Sequence, residues 1–341
     1  ALSLALAAIM LIGMMVVSAS AASYNDLTDK DQIVNKDAVS MLVSLGIIEG
    51  KPDGSYAPTE NVDRAQMAKM LSVIMNKGVD NSALYQSVNS GLVDVNTNWA
   101  KGHINYCYTT GIIAGRGTGT FDPSASVTAL EAAKMLLVAV GYDPAIEGFE
   151  GADWAINVSV RADEQGIFEG FTKDLSAPLN RDDAALLIYN ALDVEMIQSY
   201  TTNNYPIVYS DHRTILADKY GVINVQGVVT ANEWAILDDD TDTALQEGKT
   251  RIYNPDGILS TTGNTAVAHD SSANVKTQVF NVSTPVDMLG KAVTMYVKKT
   301  TILADSTVYG APVVSDVNTV IETGEKVTGG DSKDDDSLAA L

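Results

Sequence analysis

The chain has 341 residues and a formal charge of −21, from 43 acidic against 22 basic side chains. That imbalance repels a polyanion over most of the surface and excludes nucleic acid as the partner, while the length fits two or three domains better than one. The single cysteine, Cys107, excludes an internal disulfide, a cysteine-rich zinc site and a Cys-x-x-Cys redox pair, and the scattered His103, His212 and His269 leave little for a metalloenzyme or a histidine-based triad.

Residues 1–22 carry no charge, run apolar from Leu2 to Val17 apart from Ser3 and Gly13, and end in the small residues Ser18-Ala19-Ser20-Ala21-Ala22. This is the pattern of a secretory signal, with the mature chain expected to begin near Ser23, and a retained membrane anchor is the competing reading. No positive segment precedes it, so the sequence is expected to continue upstream. An exported chain without disulfides suits a bacterium.

From Ser23 to Gln198 the chain repeats. Gly46-Ile47-Ile48, Gly111-Ile112-Ile113 and Gly166-Ile167-Phe168 are each followed by a second glycine, at Gly50, Gly115 and Gly170. Ahead of each first glycine lies an apolar stripe at helical spacing, opening at Val34, Trp99 and Trp154, and after each loop comes a second stripe such as Met67, Met70, Leu71 and Ile74. The spacing predicts helix, glycine-rich loop, helix, with repeats at about 23–80, 90–142 and 149–198. One such pair cannot bury its apolar face alone, so the three are expected to pack as one all-α bundle.

After Tyr200 the composition turns to Val, Ile, Thr and Tyr with Asn and Gly turns. Strands are expected over Tyr205–Tyr209, Gly221–Val229, Trp234–Leu237, Thr250–Tyr253, Val275–Val282, Ala292–Lys298 and Thr300–Ala304, in an all-β domain spanning 205–326 that forms a sandwich or a barrel. Residues 327–341, with Asp331, Asp334, Asp335 and Asp336, read as an acidic linker leading into a longer protein.

The second helices open on Asp63-Arg64-Ala65-Gln66, Thr128-Ala129-Leu130-Glu131 and Asn180-Arg181-Asp182-Asp183, which read as capping boxes or close variants. Arg64 and Arg181 fall at the first helical position, where the macrodipole disfavours a cation. An anionic ligand bonded by the free first-turn N–H groups and the guanidinium would reverse that sign; solvated arginines paired with nearby carboxylates are the plainer reading. Removing both arginines is therefore expected to leave the fold at least as stable. Trp99 and Trp154 suit packing positions or sugar platforms, and Cys107 a small buried apolar site. Gly115–Gly119 lacks the Lys-Ser/Thr of a phosphate loop and reads as a turn. Asp238, Asp240 and Asp242 match the start of a calcium loop whose glycine is Thr243 and whose closing glutamate is Lys249, so an EF-hand fails and only a looser calcium site stays open. No other cofactor or metal is expected.

Taken together, Tyr24-Asn25-Asp26, Val93-Asp94, Trp99-Ala100, Trp154-Ala155, the three Gly-Ile-hydrophobic-x-Gly segments, Tyr56-Ala57-Pro58, Phe121-Asp122-Pro123 and the three helix openings resemble the S-layer homology family over about half the chain. The resemblance implies a pseudo-threefold bundle whose grooves bind an acidic secondary cell-wall polysaccharide, often through a pyruvylated sugar. It further implies that Arg64 and Arg181 hold the carboxylate, that Trp99 and Trp154 face sugar rings, that Gly50, Gly115 and Gly170 let backbone approach the ligand, and that Asp26 and Asp94 belong to the site. Val34 stands where a Trp is expected, Ala129 where an Arg is expected, and the third copy lacks the aromatic-x-Asp, so not all grooves need be competent. The expected function is non-catalytic anchoring of a surface protein to the bacterial wall, as an S-layer component with self-assembly open to it. The alternative is an exported enzyme, such as a polysaccharide hydrolase, whose catalytic domain lies beyond Leu341.

Overall fold

A computed structural model describes residues 24–237, 244–255, 276–298 and 306–314. The signal segment, the acidic linker, the aspartates of the calcium pattern and the expected strand Thr300–Ala304 lie outside the described residues. Between Tyr24 and Leu192 the regular structure is helical, in three pairs. The pairs are α1 (Lys36–Ser44) with α2 (Arg64–Met75), α3 (Lys101–Thr109) with α4 (Ala129–Val140), and α5 (Trp154–Glu164) with α6 (Arg181–Leu192). The first helix of each pair ends at Gly46, Gly111 or Gly166, all with φ between 69° and 80°, a left-handed turn that a β-carbon would strain. The second helices start on side-chain caps. Asp63 and Thr128 form full capping boxes with Gln66 and Glu131, and Asn180 accepts from the Asp183 N–H, while the Asp183 carboxylate is drawn to Lys173.

Each cap is preceded by a buried apolar residue, and these three residues close a cycle of backbone bonds. Val62 N–H donates to Leu179 O at 2.8 Å, Leu179 N–H to Val127 O at 2.8 Å, and Val127 N–H to Val62 O at 2.9 Å. No pair can be removed without leaving a buried donor and a buried acceptor unsatisfied, which costs about 1–3 kcal/mol for each group. Around the cycle, Met67, Leu71, Ile104, Phe121, Leu136 and Leu187 fill one continuous core.

The strands that follow are antiparallel. β1 (Ile197–Tyr200) pairs with β2 (Pro206–Val208) as a hairpin, and β3 (Val222–Asn232), β4 (Thr250–Tyr253), β5 (Thr277–Phe280), β6 (Ala292–Lys298) and β7 (Val308–Val314) form one sheet in the order β5-β4-β3-β6-β7. Among the described residues this is a single five-stranded sheet and a hairpin, not two packed sheets. One face, with Val222, Asn224 and Tyr296, meets the helices, so Val222 and Tyr296 belong to the helical core. The other face, with Ile223, Val225, Met295 and Val297, builds a smaller core with Ile252 and Phe280. The expected strand at Trp234–Leu237 is a turn instead, because Asn232 Oδ1 accepts from the N–H groups of Trp234 and Ala235 and curls the chain back. Ile197 and Gln198, expected to close the last helical copy, belong to strand β1.

Candidate functional site

Two grooves lie where one helix pair meets the next, and they match position by position. The first, of about 340 Å³, is walled by the loop Gly46–Lys51, by Gln66, Lys69 and Met70 of α2, by Asp80 and Trp99, and by Arg181 reaching in from α6. The second, of about 540 Å³, is walled by Ala114–Gly117, by Glu131, Lys134 and Met135 of α4, by Phe149–Gly151 and Trp154, and by Arg64 reaching in from α2. Gly50, Lys51, Gln66, Lys69 and Met70 recur at one constant offset as Gly115, Arg116, Glu131, Lys134 and Met135. Of the residues expected from sequence, the structure gathers Arg181, Trp99 and Gly50 in one groove and Arg64, Trp154 and Gly115 in the other. The lysines, and the Gln/Glu pair beside them, were missed: each is an ordinary helical residue, and only its recurrence at the same place in two copies marks it.

The arginines do not sit at open helix starts. The first-turn N–H groups of α2 are occupied, Arg64 N donating to Ala125 O and Ala65 N to Pro123 O, both at 3.0 Å, while Arg181 N and Asp182 N of α6 donate to Glu60 O at 2.8 Å and Pro58 O at 3.1 Å. Free helix-terminal N–H groups are thus no part of an anion site here, which corrects that expectation. The side chains bond across the pair boundary. Arg64, 4% exposed, donates through Nε to Phe121 O at 2.8 Å and through Nη2 to Ala114 O at 2.9 Å, with its guanidinium 4.3 Å from the centre of the Phe121 ring. Arg181 repeats this on Tyr56 O at 2.7 Å, Glu49 O at 3.3 Å and the Tyr56 ring at 4.8 Å. Each guanidinium fixes the carbonyl just ahead of the loop glycine, and burial, with Arg116 nearby, pushes the pKa of Arg64 down to about 10. Neither arginine is a solvated surface charge.

The glycines are set by what lies under the loop. A β-carbon on Gly115 would come within 2.9 Å of Thr120 O, and one on Gly50 within 3.0 Å of the Leu27 side chain. Asp94 acts on the same loop from below: its carboxylate accepts from Phe121 N at 2.9 Å and Asp122 N at 2.7 Å, holding Asp122 at φ 61°. Partial burial opposes the charge, but those bonds hold the Asp94 carboxyl below its ordinary value. In the first copy the same bonds, to Tyr56 N and Ala57 N at 2.7 Å, come from Asp29 and not from Asp26. Asp26 sits in the short turn Tyr24–Asp26 and lines neither groove. The five-residue step from Asp94 to Trp99, counted back from Val34, points to Asp29.

Trp99 is 58% exposed at the groove rim, so the packing reading fails for it. Trp154 is half-buried, with Lys134 Nζ 5.6 Å from its ring centre and donating to Phe149 O at 2.6 Å. Burial and the nearby Arg64 lower the Lys134 pKa. In the first groove Lys69 stands 3.8 Å from Glu49, and in the second Arg116 pairs with Glu131 at 2.6 Å.

At the boundary between the third pair and the first, the tryptophan, lysine and arginine are all replaced. Val34, 82% exposed, takes the tryptophan position, Leu186 the lysine position and buried Ala129 the arginine position; the loop carbonyls of Ile167 and Glu169 are held by Asn190 instead, at 3.0 and 2.9 Å. Gly170 lies against Leu186 and lines neither groove. Cys107 is buried, and burial raises its thiol pKa. Among the described residues no group of His, Cys, Asp and Glu is arranged to hold a metal ion, and no helix is long and apolar enough to cross a membrane.

The sequence profile of the S-layer homology domain matches residues 23–68 and 93–133. The chain is 27% identical over 256 residues to "Cell surface protein" of Thermoanaerobacter kivui, covering 74% of this chain and 30% of that protein. It is 32% identical over 113 residues to "S-layer protein" of Bacillus licheniformis, covering 33% of this chain and 12% of that one. It is also 30% identical over 186 residues to "Amylopullulanase" of Thermoanaerobacterium thermosulfurigenes, covering 50% of this chain and 10% of that one. The chain thus spans less than a third of the length of these relatives.

Proposed function

We propose, for a secreted, cell-wall-associated chain that carries S-layer homology domains, that the two matched grooves hold an acidic wall polysaccharide and so anchor a surface-layer protein without catalysis. The observation that carries this is the recurrence of one constellation. In each groove a lysine on the second helix stands between a loop pinned by a neighbouring arginine and a tryptophan at the rim, an arrangement that suits a carboxylate beside a sugar ring. The third helix pair is, in this reading, a third repeat whose place in the backbone cycle completes a pseudo-threefold bundle. Its boundary with the first pair, without arginine, lysine or tryptophan at the matched positions, closes the bundle without binding. Lys69 and Lys134 make the direct contacts, and Arg64 and Arg181 hold the loops and add positive potential. With a charge of −21 on the chain, local cations are what let it approach an acidic polymer.

Co-sedimentation with purified wall polysaccharide tests this. The double variant Lys69→Ala, Lys134→Ala should remain folded, with a modest loss of stability from the Lys134 bond to Phe149 O, and lose at least tenfold in affinity, on the basis of about 1.5–3 kcal/mol for each charge-assisted bond. Stripping the acidic substituent from the polymer should remove the difference. Undiminished binding by the double variant overturns the reading. The similarity to an amylopullulanase favours a second possibility, that the same bundle anchors an exported enzyme whose catalytic part lies outside these residues; the remainder of the reading frame decides between the two.

A further inference from the structure

The first groove has a polar wall that the second lacks. His103 of α3 is buried one turn beyond Trp99, their rings 6.3 Å apart and edge-on at 65°. Its Nδ1 lies 2.6 Å from Ser72 Oγ of α2, and that hydroxyl donates to Lys69 O at 2.9 Å. The serine therefore offers the ring a lone pair, and Nδ1 carries the hydrogen. The other ring nitrogen, Nε2, faces Asp80 Oδ2 at 3.6 Å, from the segment ahead of the turn Ser82–Tyr85, and Asp80, 53% exposed, lines the groove with Trp99, Lys69 and Arg181. A neutral imidazole so placed turns a bare nitrogen toward a carboxylate, whereas a protonated one gives each ring nitrogen a hydrogen and an acceptor. The other charges facing this cluster are Lys69, whose ammonium opposes the proton, and Glu49, which pairs with Lys69 at 3.8 Å. Burial holds the His103 pKa below the ordinary imidazole value, partly offset by Asp80, so the proton arrives only as the pH falls below that value. At the corresponding places behind the second groove stand Val158 and Leu137, both buried and apolar.

We propose that His103 is a positioning residue that makes the first groove a pH-tuned anion site: its protonation offsets the Asp80 charge on the groove wall and fixes the rim tryptophan, while the second groove binds independently of pH. This rests on the reading that the grooves hold an acidic glycan. One compensated charge at the wall should tighten anion binding roughly threefold to tenfold.

The test uses the full chain and the methyl glycoside of a pyruvate-ketal N-acetylhexosamine, whose carboxylate stays charged from pH 7.5 to 5.0. The indole N–H resonances of Trp99 and Trp154, assigned through Trp99→Phe and Trp154→Phe, report the two grooves separately. The site that moves Trp99 should tighten as pH falls, and the site that moves Trp154 should not. Asp80→Asn, a substitution at an exposed side chain, should raise affinity at pH 7.5 to near the acid level and flatten the profile; His103→Gln should flatten it at the weak level. A Trp99 site that binds the sugar equally across the range overturns the inference and leaves the anchoring reading intact. Silence of both indoles at every pH removes the anchoring reading, and the inference with it.

Discussion

Arg64 illustrates how a residue at the edge of a ligand groove can be a structural member first. Its fork bonds two carbonyls of the next helix pair and covers the Phe121 ring, and almost none of it reaches water. Arg64→Ala should therefore destabilise the fold by about 2–4 kcal/mol in chemical denaturation, since it removes charge-assisted bonds and leaves buried carbonyls unpaired. Arg181→Ala should cost less, its second bond being longer, at 3.3 Å. This reverses the expectation from sequence, where the helix dipole alone made both arginines look unfavourable. A fold as stable as the parent after Arg64→Ala would mean that the bonds across the boundary are inconsequential. The missing term was the neighbouring loop. Its carbonyls occupy the first-turn N–H groups and welcome the cation, but they belong to another copy and leave no mark at Arg64 itself.

At the level of elements, the junction between α6 and the sheet carries a titrating group. Asp193 follows the last residue of α6, where the macrodipole disfavours an anion, and accepts from Asn224 Nδ2 of β3 at 2.7 Å. Beside it Tyr189 of α6 donates to Tyr296 of β6 at 3.2 Å. Burial, partly offset by the Asn224 bond, lifts the Asp193 carboxyl to about 7. Between its unfolded value of 3.8 and that raised one, the folded chain holds a proton the unfolded chain has lost. This contribution to stability is therefore full at acidic pH and declines as pH rises toward 7. Asp193→Asn keeps an acceptor for Asn224 and removes the charge, so it should stabilise the chain by about 2 kcal/mol at pH 8 and flatten the melting profile between pH 5 and 8. An unchanged slope would show that the carboxylate is solvated in the folded state.

The helices were legible because apolar spacing agrees with glycine stops after the first helix of each pair and side-chain caps at the start of the second. The β region was legible in composition but not in pairing. Ile197–Tyr200 carries only four residues, with its middle exposed, and shows no strand signal until Pro206–Val208 folds back on it. Val308–Val314 contains Gly310 and Pro312 and becomes a strand only beside β6 and α1, where Gly310 lies against Met41. The site was half legible. Trp, Arg and the loop glycines are conspicuous in a helical repeat, whereas Lys69, Lys134 and Asp29 are common residues whose meaning lies in matched positions.

At the scale of the molecule, three helix pairs are joined in a cycle by the backbone bonds of Val62, Leu179 and Val127, and their boundaries then diverge. Two of them keep an arginine, a lysine and a tryptophan at matched positions, and the third has Ala129, Leu186 and Val34 there, with its loop pinned by Asn190 instead. On the proposed function, this anionic protein carries its capacity for an acidic polymer in two places. Binding should weaken with added salt because those places work by charge. The most direct measure of this account is the stoichiometry by isothermal calorimetry of the full chain with a short acidic fragment of the wall polysaccharide. Two sites are predicted, with Lys69→Ala and Lys134→Ala each removing one and Leu186→Ala removing none. A single site, three sites, or two that survive both lysine substitutions would contradict it.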